Sequence, residues 1–288
     1  MDLSKWIKIR DEEYERGHPP DFMTHFNYVE CLKTISNGLS VECKLDIKNK
    51  IQNGNTNLKK KVNLIKLIKR NLDEEYKTIK QNPAFAEVCV PWIAVKSYYL
   101  MFNLLVVLEY LISAQESSFN VSHDGLLKKF KSRLENQEIV FNKKVFNTNF
   151  QCSKIINLKV KSGSNLKIVG VDLKERVLQV FKKLISYKIE DFQRKEKFKN
   201  FRSKKAREAR KKFLEDSSVN MCEFFYWYRI KSNYRDLEFL DKDIDDRQFT
   251  DFYKNYFELT LSFYELLKKM INTLSKTRLA KEILYLCN

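Results

Sequence analysis

The chain has 288 residues, enough for one large domain or two modest ones with a sizeable apolar core. Only 6 Gly and 4 Pro stand among abundant Leu, Lys, Ile, Phe and Tyr, which excludes a turn-rich β fold and favours long helices. The 54 basic against 37 acidic residues leave a formal charge of +17, which points to a polyanionic partner, nucleic acid before anionic membrane.

The opening MDLSKWIKIRDEEYERG is charged and amphipathic without an apolar signal-peptide core, so a cytoplasmic location with reduced thiols is expected. A first helix is predicted over 3–15, stopping at Gly17-His18-Pro19-Pro20. A second starts behind Asp21 as N-cap and ends near Asn37-Gly38. Residues 40–52 read as weakly helical up to the Asn53-Gly54-Asn55 turn. In 58–80, Val62, Ile65, Ile68, Leu72 and Tyr76 form one stripe of an amphipathic helix. Pro83 and Pro91 are expected to bracket a short piece ahead of an apolar helix over 92–114. Its YYLMFNLLVVLEYLI core is interrupted by Asn103 and Glu109 and is shorter than the roughly 20 apolar residues of a span. A buried central helix, with no membrane partner, is the reading.

Ser122 caps a further helix in which Leu126, Leu127, Phe130 and Leu134 face inward. Residues 138–170 break the helical pattern, and the alternation in INLKVKSGSNLKIV predicts a small hairpin around the SGSN turn. A helix over 172–188, a basic stretch over 193–212, a helix over 219–240, a long helix over 246–275 and a tail helix near 277–286 complete the chain.

Three features bear on chemistry. In MCEFFYWYRIKSNYRDLEFL, a helical period puts Arg229 and Asn233 one turn apart, beside Ser232 and Asp236. Such a guanidinium can grip a phosphodiester, or it can pair with Asp236 as an ordinary surface arginine. The run QRKEKFKNFRSKKAREARKK crowds Arg194, Lys195, Lys197, Lys199, Arg202, Lys204, Lys205, Arg207, Arg210, Lys211 and Lys212 into what reads as one helix, with Phe198 and Phe201 interleaved. That density suits a phosphate backbone, RNA before DNA, although a solvated basic helix has the same pattern. Of the three histidines, His123 at the loop-to-helix position of VSHDGLL can join N-cap hydrogen bonds or carry protons. The six scattered cysteines show no zinc spacing and no glycine-rich phosphate loop occurs, so neither metal nor cofactor is expected. The acidic DKDIDD, 241–246, is read as capping the following helix rather than as a cation site.

Two separated segments together resemble the HEPN-domain family. SYYLMFNLLVVLEYLIS followed by VSHDGLLKKFKSRL is similar to the opening helical hairpin of that family. YRIKSNYRDLEFL and FTDFYKNYFELTLSFYELLKKMI resemble its later Arg-bearing helix and the helix after it. The resemblance implies an all-α antiparallel bundle with a small inserted β-hairpin and basic helix. Its divisions would be an N-terminal extension over 1–90, a first helical pair over 91–137, an insertion over 138–217, and a second pair with tail over 218–288. It further implies RNA binding, a possible homodimer or protein partner, and a setting of phage defence or toxin–antitoxin pairs. Nuclease members cleave RNA without metal through an Arg-x4–6-His motif. Here no His follows Arg229, and Arg-x-x-x-Asn-Tyr is similar to a second branch in which nuclease activity is less secure. The expectation is therefore an RNA-binding protein with Arg229, Asn233, Tyr234 and His123 as site residues, either Tyr234 or His123 carrying the proton. The alternative is a non-catalytic nucleic-acid or protein-binding scaffold.

Overall fold

A computed structural model describes residues 22–44, 55–158, 173–234 and 245–278, with the side chains of 23, 24, 231–234 and 276–278 outside that description. The predicted helix over 3–15 and the tail beyond 278 lie outside the described residues, as does most of the predicted 156–169 hairpin. Of that hairpin only 156–158 is described, and it closes a short helix instead of opening a strand.

The protein is all-α, with two small antiparallel sheets among the described residues. Helix α1 (Phe22–Ser36) ends at Gly38, whose φ of 66° supplies the left-handed turn. Strand β1 (Val41–Cys43) follows, where weak helix was expected. It is strand because it pairs with a distant partner, Val41 opposite Phe141 and Cys43 opposite Ile139, which no local pattern reveals. Helix α2 (Thr56–Gln81) is capped by Asn55, whose side chain accepts from the Leu58 N–H at 2.9 Å.

Helix α3 (Phe85–Ser113) runs unbroken through Pro91, so the expected boundary there is absent. Proline removes only the hydrogen bond to the Glu87 carbonyl, and burial of Val90, Ile93 and Ala94 on either side holds the turn. Among the described residues α3 is the one helix long and apolar enough to cross a membrane, and most of its apolar window is buried inside the fold. Its Glu109 is held by Arg133 at 2.7 Å.

After a 3₁₀ turn over Glu116–Asn120 comes α4 (His123–Glu135), with Ser122 accepting from Gly125 N–H as its N-cap. The chain then forms β2 (Ile139–Phe141), α5 (Lys144–Asn147), β3 (Phe150–Gln151) and α6 (Cys152–Ile156). Next are α7 (Leu173–Lys195), α8 (Lys204–Asp216) and β4 (Ser218–Val219), the last paired with β3. A 3₁₀ turn over Met221–Glu223 leads into α9 (Phe224–Tyr234), and α10 (Asp246–Arg278) closes the described chain behind its cap, Asp245.

Helix α3 is the axis, packed by α2, α9 and α10, while α1 lies on α10 and α7. Helix α2 returns antiparallel to α3, with Lys61 on Asn103 and Glu75 on Lys96. Helix α9 lies antiparallel on α10, with Tyr228 near Tyr256 and Phe225 near Phe263. Helix α4 differs from the hairpin that the resemblance implies: His123 meets Phe102 and Arg133 meets Glu109, so its contacts advance in the direction of α3. Segment 138–217 contributes Phe141, Phe146, Ile155, Phe181 and Leu184 to the same hydrophobic core as the flanking helices.

A buried ionic cluster ties this segment to the bundle. Glu223, 4% exposed, receives Lys131 at 2.8 Å, Lys188 at 3.0 Å and the Trp227 indole N–H at 3.0 Å. Burial alone raises a carboxyl pKa, but the two ammonium groups and their hydrogen bonds outweigh it and hold Glu223 below the ordinary value.

Candidate anion and nucleic-acid site

Helix α9 is short and rich in aromatic residues, and its Phe224, Phe225 and Tyr228 face the core. One step past Tyr228, Arg229 is carried to the rim of that core, against α3. Its guanidinium carbon stands 4.5 Å from the Tyr98 ring centre, 5.5 Å from Tyr226 and 5.8 Å from Tyr99. Three electron-rich ring faces attract the cation and hold its plane without neutralising it. Its Nε is buried with no hydrogen-bond partner, and no ion pair to a described carboxylate is formed. A buried N–H without a partner costs about 1–3 kcal/mol.

His123 reaches the same tyrosine from the opposite element. Its Nδ1 is hydrogen-bonded to the Tyr98 hydroxyl, and its ring stacks obliquely 4.3 Å from Phe102. Burial lowers the His123 pKa first, and the positive charges of Arg229 and Lys61 lower it further against Asp124. The imidazole is thus neutral near pH 7. Burial also pushes the Tyr98 phenol far above its usual range, so that hydroxyl keeps its proton. Tyr226 donates to Asp124 at 2.7 Å, and burial together with that carboxylate raises its pKa as well.

Sequence reasoning singled out Arg229 and His123, and the fold brings them to one tyrosine. It did not single out Tyr98, Tyr226, Asp124 or Lys61 as site residues. The sole signal for Tyr98 was its place in the YYLMF stretch that carries the resemblance, and nothing local distinguishes Lys61 from its neighbours in LKKKV. Asn233 and Tyr234 lie on the last turn of α9, with side chains outside the described residues; Asp236 and 241–244 lie wholly outside them.

The basic run is not one helix. It divides at Lys197, whose φ of 56° ends α7, with Phe198 N–H reaching the Gln193 carbonyl and Lys197 N–H the Arg194 carbonyl. That is the hydrogen-bond pattern of a left-handed helix terminus, here with lysine where glycine is usual. Ring packing overrides the helical propensity of the lysines: Phe192 stacks on Phe213 at 4.3 Å and on Phe201 at 6.4 Å, folding α8 back on α7. Lys195 pairs with Asp191 at 2.8 Å and approaches Asp124 at 4.0 Å, so the end of α7 borders the Arg229 site.

The remaining basic residues lie on or before α8, which packs on α6 and β3. Lys204 and Lys211 approach Glu208 and Glu215 at 4.0 Å, spacings of little energetic weight at the surface. Arg210 stacks over Phe201 at 5.5 Å. Lys197, Lys199, Arg202, Lys205, Arg207 and Lys212 are exposed and form no ion pair among the described residues.

No protein-family model, curated protein or solved structure matches this chain.

Proposed function

We propose that this protein binds RNA, with one phosphodiester seated on Arg229, and that it cleaves RNA there without a metal ion. The observation that carries the proposal is the Arg229 guanidinium, held by three tyrosines, with a buried N–H and no described anion to meet it. His123 supplies the proton chemistry. In the tautomer whose Nδ1–H donates to Tyr98, its Nε2 is a base able to accept the ribose 2′-hydroxyl proton. The freed oxygen attacks the adjacent phosphorus, the bond from phosphorus to the 5′-oxygen breaks, and that oxygen departs as a hydroxyl with a proton taken from solvent, giving a 2′,3′-cyclic phosphate. Arg229 stabilises the negative charge that accumulates on the phosphoryl oxygens. Exposed cations of α8 would track the flanking backbone.

The same hydrogen bond supports a second reading. If Tyr98 donates to Nδ1, the imidazole carries its proton on Nε2 and the site binds without cleaving, as a HEPN-like scaffold or regulator would. Incubation with mixed RNA in EDTA separates the two. Cyclic-phosphate ends that vanish in Arg229→Ala and in His123→Asn support the nuclease. Binding without cleavage leaves the scaffold, and no affinity for RNA at low salt refutes both.

A further inference from the structure

Helices α3, α4, α9 and α10 enclose an apolar slot that the RNA chemistry above does not use. Tyr98 and Phe102 come from α3, Leu127 and Phe130 from α4, Tyr226 from α9 and Leu267 from α10. Its volume is about 40 Å³, room for about three water-sized groups. The polar side-chain groups on its walls are the Tyr98 and Tyr226 hydroxyls, the His123 ring and the Cys222 thiol, the hydroxyls already engaged by His123 and Asp124. Walls of this kind do not hold ordered water and favour hydrocarbon. A nucleobase would bring polar edges into the slot and leave them unpaired. Two of the slot's walls, Tyr98 and Tyr226, are also the rings that flank Arg229, at 4.5 and 5.5 Å. The apolar slot and the guanidinium therefore share two tyrosine rings, although Arg229 itself does not line the slot.

We infer that the slot binds a small amphipathic anion, an alkyl group of about three to four carbons in the slot with a phosphate or carboxylate head on Arg229. The inference rests on Arg229 as the anion contact proposed above. Because this head and the RNA phosphodiester take the same guanidinium, the ligand displaces RNA and acts as a regulator of the site.

Calorimetric titration of the full chain with methyl, propyl, butyl and hexyl phosphate, and with the matching carboxylates, tests this and shows which head is preferred. Affinity rises about fourfold per added methylene up to about four carbons and then levels. Leu127→Trp fills the slot from its half-buried wall, removes the chain-length dependence and keeps the affinity for methyl phosphate. Should that variant fail to fold, the chain-length series on the unaltered protein still decides. Methyl phosphate binding with a flat series overturns the slot and leaves Arg229 as an anion contact. Butanol binding without any alkyl phosphate or carboxylate binding refutes the Arg229 assignment itself. Nucleoside monophosphates binding more tightly than butyl phosphate would overturn the apolar assignment.

Discussion

Replacing Arg229 by methionine separates a functional arginine from a structural one. The change removes cation–π attraction to Tyr98, Tyr99 and Tyr226, worth about 0.5–2 kcal/mol in total at a half-buried site. Methionine keeps a flexible, polarisable chain against the same rings and recovers part of that. The change also eliminates a buried N–H without a partner, a penalty of about 1–3 kcal/mol. The terms nearly cancel, so stability falls by no more than about 1 kcal/mol, or about 2–4 °C in Tm for a domain of this size. RNA affinity responds differently, since a charged hydrogen bond worth about 1.5–3 kcal/mol is lost, roughly a 10- to 150-fold weakening. Arg229 also depresses the His123 pKa by its charge, so in the variant that pKa moves up while burial still holds it below 6.5. Thermal unfolding, RNA titration and an NMR titration of the His123 ring check the three effects. A loss of 3 kcal/mol or more would refute the reasoning, because it would mean that Arg229 holds the fold together. An unmoved His123 pKa would show that the two residues do not share a site.

The proposed cleavage requires neutral His123, whose pKa is lowered from 6.5 by burial, so kcat/KM should climb with pH and level below that value; a rise continuing past pH 8 rules His123 out as the base. Its depressed pKa also gives a stability increment that is full above pH 6.5 and lost as pH falls through the folded value; comparison with His123→Asn in urea at pH 5 and pH 8 measures it. Glu223→Gln leaves Lys131 and Lys188 facing a neutral group in a buried site, and urea denaturation at pH 7 should show a loss of about 3–5 kcal/mol. The wild type loses the same contribution only as acid titrates Glu223 below the ordinary carboxylate range. Lys205→Gln/Arg207→Gln/Lys212→Gln flattens the slope of log affinity against log salt by about 2 for single-stranded RNA without changing Tm; an unchanged slope means α8 does not touch the backbone.

Amphipathic periodicity was a good guide wherever packing and local pattern agree. The stripe Val62, Ile65, Leu72 is buried in α2, and Ser122 caps α4 as its sequence requires. It misled wherever a distant partner decided the outcome. Pro91 should have ended a helix, yet α3 passes through because its neighbours are packed on both sides. The lysines from 194 to 212 should have continued one helix, yet Phe192 and Phe213 meet and the chain turns at Lys197. The strand at 41–43 exists because 139–141 lies beside it, about a hundred residues away.

Composition and periodicity by themselves determined an all-α protein with a strong positive charge, because helical propensity and net charge are sums over residues and need no partners. They also marked Arg229 and His123 as residues of interest. Tertiary packing alone placed both on Tyr98, left the guanidinium without a described anion and opened an apolar slot beside it. The physical reason is desolvation: in water an arginine, a histidine and a tyrosine are unremarkable, and the pKa values of His123 and Tyr98 and the hydrogen-bond demand of the Arg229 N–H change only once the helices around them exclude the solvent.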